Sequence, residues 1–214
     1  MAKERITRQQ TTGEELANTI SHGVGALLAL AGAVPLVVKG IMSGSVMTIC
    51  SLAAYAASLV LLYTASAVCH GVRRPSVKKV LRVMDHCSIY LLILGTYIPL
   101  SLLTVGGRTG WMLFLTNSTL AVIGITLNAI DLKRFDKVSL ALYALMGWLV
   151  VVAMGTIVQA LPPMGLFLLV AGGVAYTAGI VFYKSQGHYM HFVWHLFVLA
   201  GSVLQYLCIV LYCV

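Results

Sequence analysis

Seven long apolar runs constrain this chain more than any other feature. They cover residues 20–38, 46–69, 86–105, 111–130, 138–161, 164–183 and 190–214, each close to the roughly 20 residues a helix needs to cross a bilayer. Each is apolar on all sides rather than along one stripe, which suits a helix surrounded by lipid and neighbouring helices. A water-soluble domain would carry charge on nearer a quarter of its residues, and here only 9% are charged. The connections are short. The expected fold is therefore all-α: a single seven-transmembrane helix bundle over residues 1–214, with residues 1–15 as a polar N-terminal segment. The first run is too long for a signal-peptide core and lacks an evident cleavage site, so it is expected to be retained.

The net charge of +8 falls in the segments between apolar runs, where it sets orientation and meets anionic headgroups. Nucleic acid is excluded as a partner on that ground. Of the 14 Lys and Arg residues, all but Lys39 and Arg108 sit in the N-terminal tail (Lys3, Arg5, Arg8) or the second, fourth and sixth connections. The positive-inside bias then places the N-terminus in the cytoplasm and the C-terminus outside. Multi-pass insertion in the plasma (inner) membrane is the expected location. The five cysteines show no paired Cys-x-x-Cys spacing and read as small hydrophobes.

Packing signals are ordinary for a membrane bundle. Small residues recur in the first run (Gly25, Ala29, Ala33) and the sixth (Gly172, Ala175, Gly179), allowing close helix approach. Pro35 and Pro99 are expected to kink their helices, and Pro162-Pro163 to mark a turn.

Ionisable groups are costly in hydrocarbon and mark function when they occur there. His22 stands at the start of the first run, after Glu15 and Asn18. His70 ends the second, one turn after Ser66. Asp85 and His86 open the third, and His191 and His195 the seventh. With the orientation just derived, every one of them lies at the cytoplasmic end of the bundle. His191 and His195, four apart, lie within about 40° of each other on one helical face. With His70 they match a zinc site of three protein ligands and one open position, an arrangement suited to hydrolysis. Asp85 is expected to take or hold a proton of the reacting water and Ser66 to face the same centre. Glu15, Asn18 and His22 share an arc of about 60° and are read as supporting the metal ligands or facing substrate. For His86 and for His188, on a connecting turn, an unremarkable interfacial role is preferred.

Three motifs in order carry a resemblance to the bacterial haemolysin III proteins, the prokaryotic branch of the progestin and adiponectin receptor family. They are Glu15-Leu16-Ala17-Asn18-Thr19-Ile20-Ser21-His22, Ser66-Ala67-Val68-Cys69-His70 followed by Asp85, and His191-Phe192-Val193-Trp194-His195. The resemblance runs from Glu14 to the end. It implies a seven-helix fold with an intracellular N-terminus, and zinc held by His70, His191 and His195 with Ser66 and Asp85 beside a bound water. The wider group includes alkaline ceramidases, which implies hydrolysis of a lipid amide or ester. Bacterial members are named for haemolytic activity and linked to membrane lipid homeostasis. Two other functions stand beside it: a sensor of lipid or membrane state with a structural zinc, and a pore-forming haemolytic protein. Against a pore, the ionisable groups gather at one end instead of at several depths. Membrane lipids are the expected partners, and homo-oligomerisation is compatible with such a bundle.

Overall fold

The structure is a computed structural model describing residues 8–214; Lys3 and Arg5 of the N-terminal basic set lie outside it. The described residues form an all-α multi-pass membrane bundle. Its helices are α1 (Thr12–Met42), α2 (Val46–Gly71), α3 (Pro75–Pro99), α4 (Gly107–Trp148), α5 (Met154–Ala160), α6 (Pro163–Tyr183) and α7 (Met190–Tyr212). A π-helical segment, Leu100–Val105, follows α3, and a 3-10 segment, Leu149–Ala153, joins α4 to α5.

Local chemistry explains where these helices start. Thr11 and Glu14 form a reciprocal capping box on α1, and the Ser45 side chain caps α2. Pro75 and Pro163 occupy the first turns of α3 and α6, where a missing N–H costs nothing. Pro99 lies where α3 passes into the π-helical segment, consistent with its missing donor upsetting the regular ladder. α1 by contrast continues through Pro35 to Met42.

Among the described residues, six helical runs are long and apolar enough to cross a membrane. One of them, Gly107–Ala160, has 54 residues, a length of roughly 80 Å if straight, far more than the roughly 30 Å of hydrocarbon. It is not straight. Asp131 leaves helical geometry (φ −159, ψ 97), and its Oδ1 accepts from the N–H groups of Lys133 (3.1 Å) and Arg134 (3.0 Å), capping a new start. Beyond it the chain doubles back. Asn128 Oδ1 accepts from Ser139 Oγ at 2.5 Å, its Nδ2 donates to Tyr143 Oη at 3.3 Å, and Asn117 Nδ2 donates to the Met146 carbonyl at 3.3 Å. Partners that grow further apart in sequence on either side of a central turn define two antiparallel arms. The runs at 111–130 and 138–161 therefore correspond to two helical arms on either side of the break at Asp131.

The third run differs in another way. α3 begins at Pro75, so Asp85 and His86 lie ten and eleven residues inside a helix instead of at its start. The basic residues Lys78, Lys79 and Arg82 are carried on that extension.

Glycines let these helices meet. A Cβ at Gly25 would lie 2.5 Å from the Tyr63 ring, one at Gly172 2.7 Å from the Gln205 amide, and one at Gly179 2.6 Å from the Trp194 ring. The outward faces are apolar, with Leu27, Leu30 and Val34 of α1 among many exposed side chains that suit lipid contact.

Another close approach, at Gly124, makes a prediction. A Cβ at Gly124 would fall 2.1 Å from the ring of Tyr90, which is fully buried. Gly124→Ala is expected to destabilise the bundle by about 1–3 kcal/mol, whereas Gly155→Ala, with nothing within 4 Å, should be neutral or stabilising by up to about 1 kcal/mol. Thermal unfolding of the two variants in one detergent checks the pair.

Candidate metal centre

α1, α2 and α7 converge at one end of the bundle and bring their histidines into a single cluster. One nitrogen from each of His70, His191 and His195 lies within 4.8 Å of the others. The ring centroids are 5.1 Å apart for His70 and His191, 5.1 Å for His70 and His195, and 4.7 Å for His191 and His195. His70 is 9% exposed and His195 2%; His191 is half-buried. The one-turn spacing on α7 produces the second pair, and helix packing supplies His70.

Hydrogen bonds outside the cluster decide which ring nitrogens face into it. His70 Nδ1 lies 2.7 Å from Glu15 Oε2. A carboxylate only accepts, so Nδ1 carries the proton and Nε2 is left with its lone pair. That Nε2 is buried and has no partner among the described residues. The other Glu15 oxygen accepts from Lys78 Nζ at 2.6 Å, so this one carboxylate joins α1, α2 and α3. Asn18 Nδ2, itself a donor, sits 3.5 Å from the same Nδ1 and packs against it, while donating to Gln10 Oε1 at 2.7 Å.

The same logic applies to His195. Its Nδ1 lies 3.2 Å from Ser21 Oγ, whose own proton goes to the Asn18 carbonyl at 3.0 Å. Ser21 is therefore the acceptor and His195 Nδ1 the donor, which leaves Nε2 with the free lone pair. A ligand histidine whose second nitrogen is held by a carboxylate or hydroxyl is the usual arrangement at protein metal sites.

The donor set fits a zinc-like ion. Bonds of about 2.0–2.1 Å in a tetrahedral site imply nitrogens roughly 3.4 Å apart, within the 4.8 Å that bounds the three here. The orphaned Nε2 of His70 points to the same conclusion, since a buried nitrogen lone pair without a partner is costly. The cluster could hold a metal ion; imidazole donors suit several transition metals.

The other residues singled out in the sequence fall nearby in different ways. Ser66, Asp85, His22, His191 and His195 line one cavity of about 150 Å³. The His22 ring stacks on His195 with centroids 3.5 Å apart and planes 10° from parallel, and neither of its nitrogens has a partner among the described residues. Asp85 is 4.0 Å from His86 Nδ1, and His86 also lines the cavity. His86 Nδ1 contacts the Arg82 carbonyl at 2.9 Å, so its ring is engaged by its own helix. His188 is exposed, with Nδ1 3.8 Å from Glu14.

Several contributors were not singled out in the sequence. Ser21 lies three residues after Asn18, on the face already marked, and that spacing was the available signal. Lys78 looked like one more basic residue in a connection. Gln10 and Arg8 precede the first helix. Arg8 pairs with Glu14, whose Oε1 also accepts from the Tyr189 N–H at 2.8 Å, tying the start of α1 to the turn before α7.

From this cluster the cavity extends along α7 to Gln205, walled by Leu62, Leu92, Ile93 and Val198. Trp148 Nε1 donates to Thr177 Oγ1 at 3.0 Å, linking the second arm of α4 to α6 at an exposed position.

Comparison with known proteins places these residues in context. The family described as Haemolysin-III related matches residues 10–206. "Hemolysin-3" of Bacillus cereus is 38% identical over 211 residues, 98% of this chain and 96% of that protein. "Hemolysin-3 homolog" of Bacillus subtilis (strain 168) is 37% identical over 207 residues, 95% of this chain and 96% of its own length. "Monocyte to macrophage differentiation factor" of Homo sapiens is 31% identical over 168 residues, 71% of this chain and 66% of that protein. No solved structure matches significantly.

Metal analysis tests the cluster directly. The purified protein is expected to retain a transition-metal ion that His191→Ala/His195→Ala loses, and Glu15→Gln to weaken retention against a chelator about 10–100-fold with the fold intact by circular dichroism.

Proposed function

Because this chain belongs to the Haemolysin-III related family and gathers three imidazoles that could share an ion, we propose that it is a zinc-dependent hydrolase of lipid amide or ester bonds. In this reading it crosses the inner (plasma) membrane seven times, the two arms of α4 counting as separate spans, with the N-terminus cytoplasmic. The observation that carries the chemistry is the shared cavity: Asp85 and Ser66 line it together with His191 and His195, and beyond them its walls are mostly apolar. Zinc, held by His70, His191 and His195, would polarise the scissile carbonyl and make water a competent nucleophile near neutral pH.

The remaining chemistry belongs to the protein's own groups. Asp85 accepts a proton from the attacking water as its oxygen bonds to the acyl carbon, then returns that proton to the departing nitrogen or oxygen as the old bond breaks. Ser66 donates to the carbonyl oxygen while negative charge builds there. Glu15 and Ser21 hold the protons on Nδ1 of His70 and His195, so both rings keep Nε2 turned inward. The apolar chamber takes the lipid chain and excludes bulk water. The lipid enters sideways from the inner leaflet, and the exposed Trp148–Thr177 contact marks where α4 and α6 border that route.

Asp85→Asn provides the test. The variant is expected to fold and bind metal as the parent does, and to lose at least about 100-fold in turnover of a fluorogenic acyl amide, in keeping with the loss of a general base. Equal rates in variant and parent would remove Asp85 from this role.

A further inference from the structure

An arginine stands just outside the chamber with no partner for its charge. α3 lines the chamber through Asp85, His86, Ile89, Leu92, Ile93 and Thr96, a spacing that puts them on one helical face. Arg82 lies three residues before Asp85 and four before His86, so it continues that face by one turn outward at the histidine end. It is exposed, and no carboxylate among the described residues lies within ion-pair distance of its guanidinium.

The neighbouring charges are otherwise engaged. Lys78, the next basic residue outward on this face, is committed to Glu15 at 2.6 Å. Asp136 accepts from Tyr183 Oη at 3.1 Å, and Asp85 sits 4.0 Å from His86 Nδ1. The Arg82 charge, like that of Asp85, acts on both the buried Cys69 thiol of α2 and the Tyr183 hydroxyl of α6, and Tyr183 is part of the chamber wall. Arg82 therefore faces across the rim of the chamber beside Asp85, instead of outward to lipid.

These positions divide a lipid whose scissile bond is at Asp85. Its acyl chain lies along Ile89, Ile93 and Thr96, and the departing amine or alcohol portion extends the other way, past Arg82. A guanidinium presents paired N–H donors that match a carboxylate or a phosphate. A neutral group there gains little, and an ammonium is repelled.

We infer that Arg82 binds an anion, carboxylate or phosphate, on the departing portion of the lipid, so that the chamber selects acidic acyl lipids. The rise from Asp85 to Arg82, about 4.5 Å, places that charge a few bonds from the acyl linkage. This selectivity rests on the lipid-hydrolase reading above, and it is tested by binding instead of turnover so that the two can fail separately.

The probes are four oleoyl amides: N-oleoylglycine, the phosphate ester of N-oleoylethanolamine, neutral N-oleoylethanolamine and cationic N-oleoylethylenediamine. Binding in a non-ionic detergent is read from tryptophan fluorescence, since Trp148 and Trp194 line the chamber. The native protein is expected to bind at least one acidic amide roughly ten-fold more tightly than the neutral one, the value of a charge-assisted hydrogen bond. Comparison of the two acidic amides tells carboxylate from phosphate. In Arg82→Gln the ratio should fall to about one with binding of the neutral amide unchanged, and Arg82→Lys, which keeps the charge without the planar fork, should retain part of it. Lys133→Gln, which removes an exposed charge of the same sign from the turn in α4, should keep the full ratio. No preference in the native protein, or a preference that survives Arg82→Gln, overturns the assignment and leaves the hydrolase reading in place. So does a preference lost equally in Lys133→Gln, which would make it a property of the basic membrane face, or loss of the neutral amide in Arg82→Gln, which would make Arg82 structural. Failure of every amide to bind the native protein overturns the assignment together with the lipid chamber on which it rests.

Discussion

One carboxylate holds the histidine end of this bundle together. Glu15 reaches from α1 to His70 on α2 and to Lys78 on α3. Where side chains are largely shielded from solvent, a carboxylate, an ammonium and an imidazole are best tolerated when they meet at hydrogen-bond distance. The same contact settles the tautomer of His70 and leaves its Nε2 turned toward the α7 pair. Glu14, rotated by one residue, does a different job: it completes the helix cap, pairs with Arg8 and holds the Tyr189 N–H. Two adjacent carboxylates on one helix thus order the histidine cluster and the segment that leads into it.

The cost of the cluster shows in what it leaves unsatisfied. His70 Nε2 and both nitrogens of His22 are buried without partners among the described residues. Such groups work against folding, and at the histidine cluster they suit side chains retained for ligand chemistry. Elsewhere, polar groups are largely used for construction. Asn117, Asn128 and Ser139 fasten the two arms of α4, and Lys39 closes α1 on the α7 backbone by donating to the Val210 carbonyl at 2.6 Å. Within a membrane, where apolar surface gains little by leaving lipid, such hydrogen bonds and glycine-mediated contacts carry much of the packing.

Much of this was legible along the chain because hydrocarbon imposes one-dimensional rules. Runs of apolar residues read directly as helices, since unpaired backbone is excluded there. The pairing of His191 with His195, and the shared face of Glu15, Asn18 and His22, followed from helical periodicity alone. His70 was assigned to the same centre from its depth, and the cluster matches. Helix ends were less legible. α3 starts well before its apolar run because Pro75 begins a helix whose first turns are basic, and hydropathy does not register such an extension. The break at Asp131 depends on a side chain capping the next arm, a local hydrogen bond that composition does not reveal.

The sequence by itself determined a multi-pass all-α protein with its histidines and carboxylates collected at one end, because burial cost and helical period act along the chain. Only tertiary structure decided which nitrogen of His70 and of His195 is held by a partner, that Ser21 and Lys78 support them, and that a mostly apolar chamber runs from the cluster to Gln205. Those features arise where side chains from different helices meet, and the distances between helices are set by which small residues allow close approach.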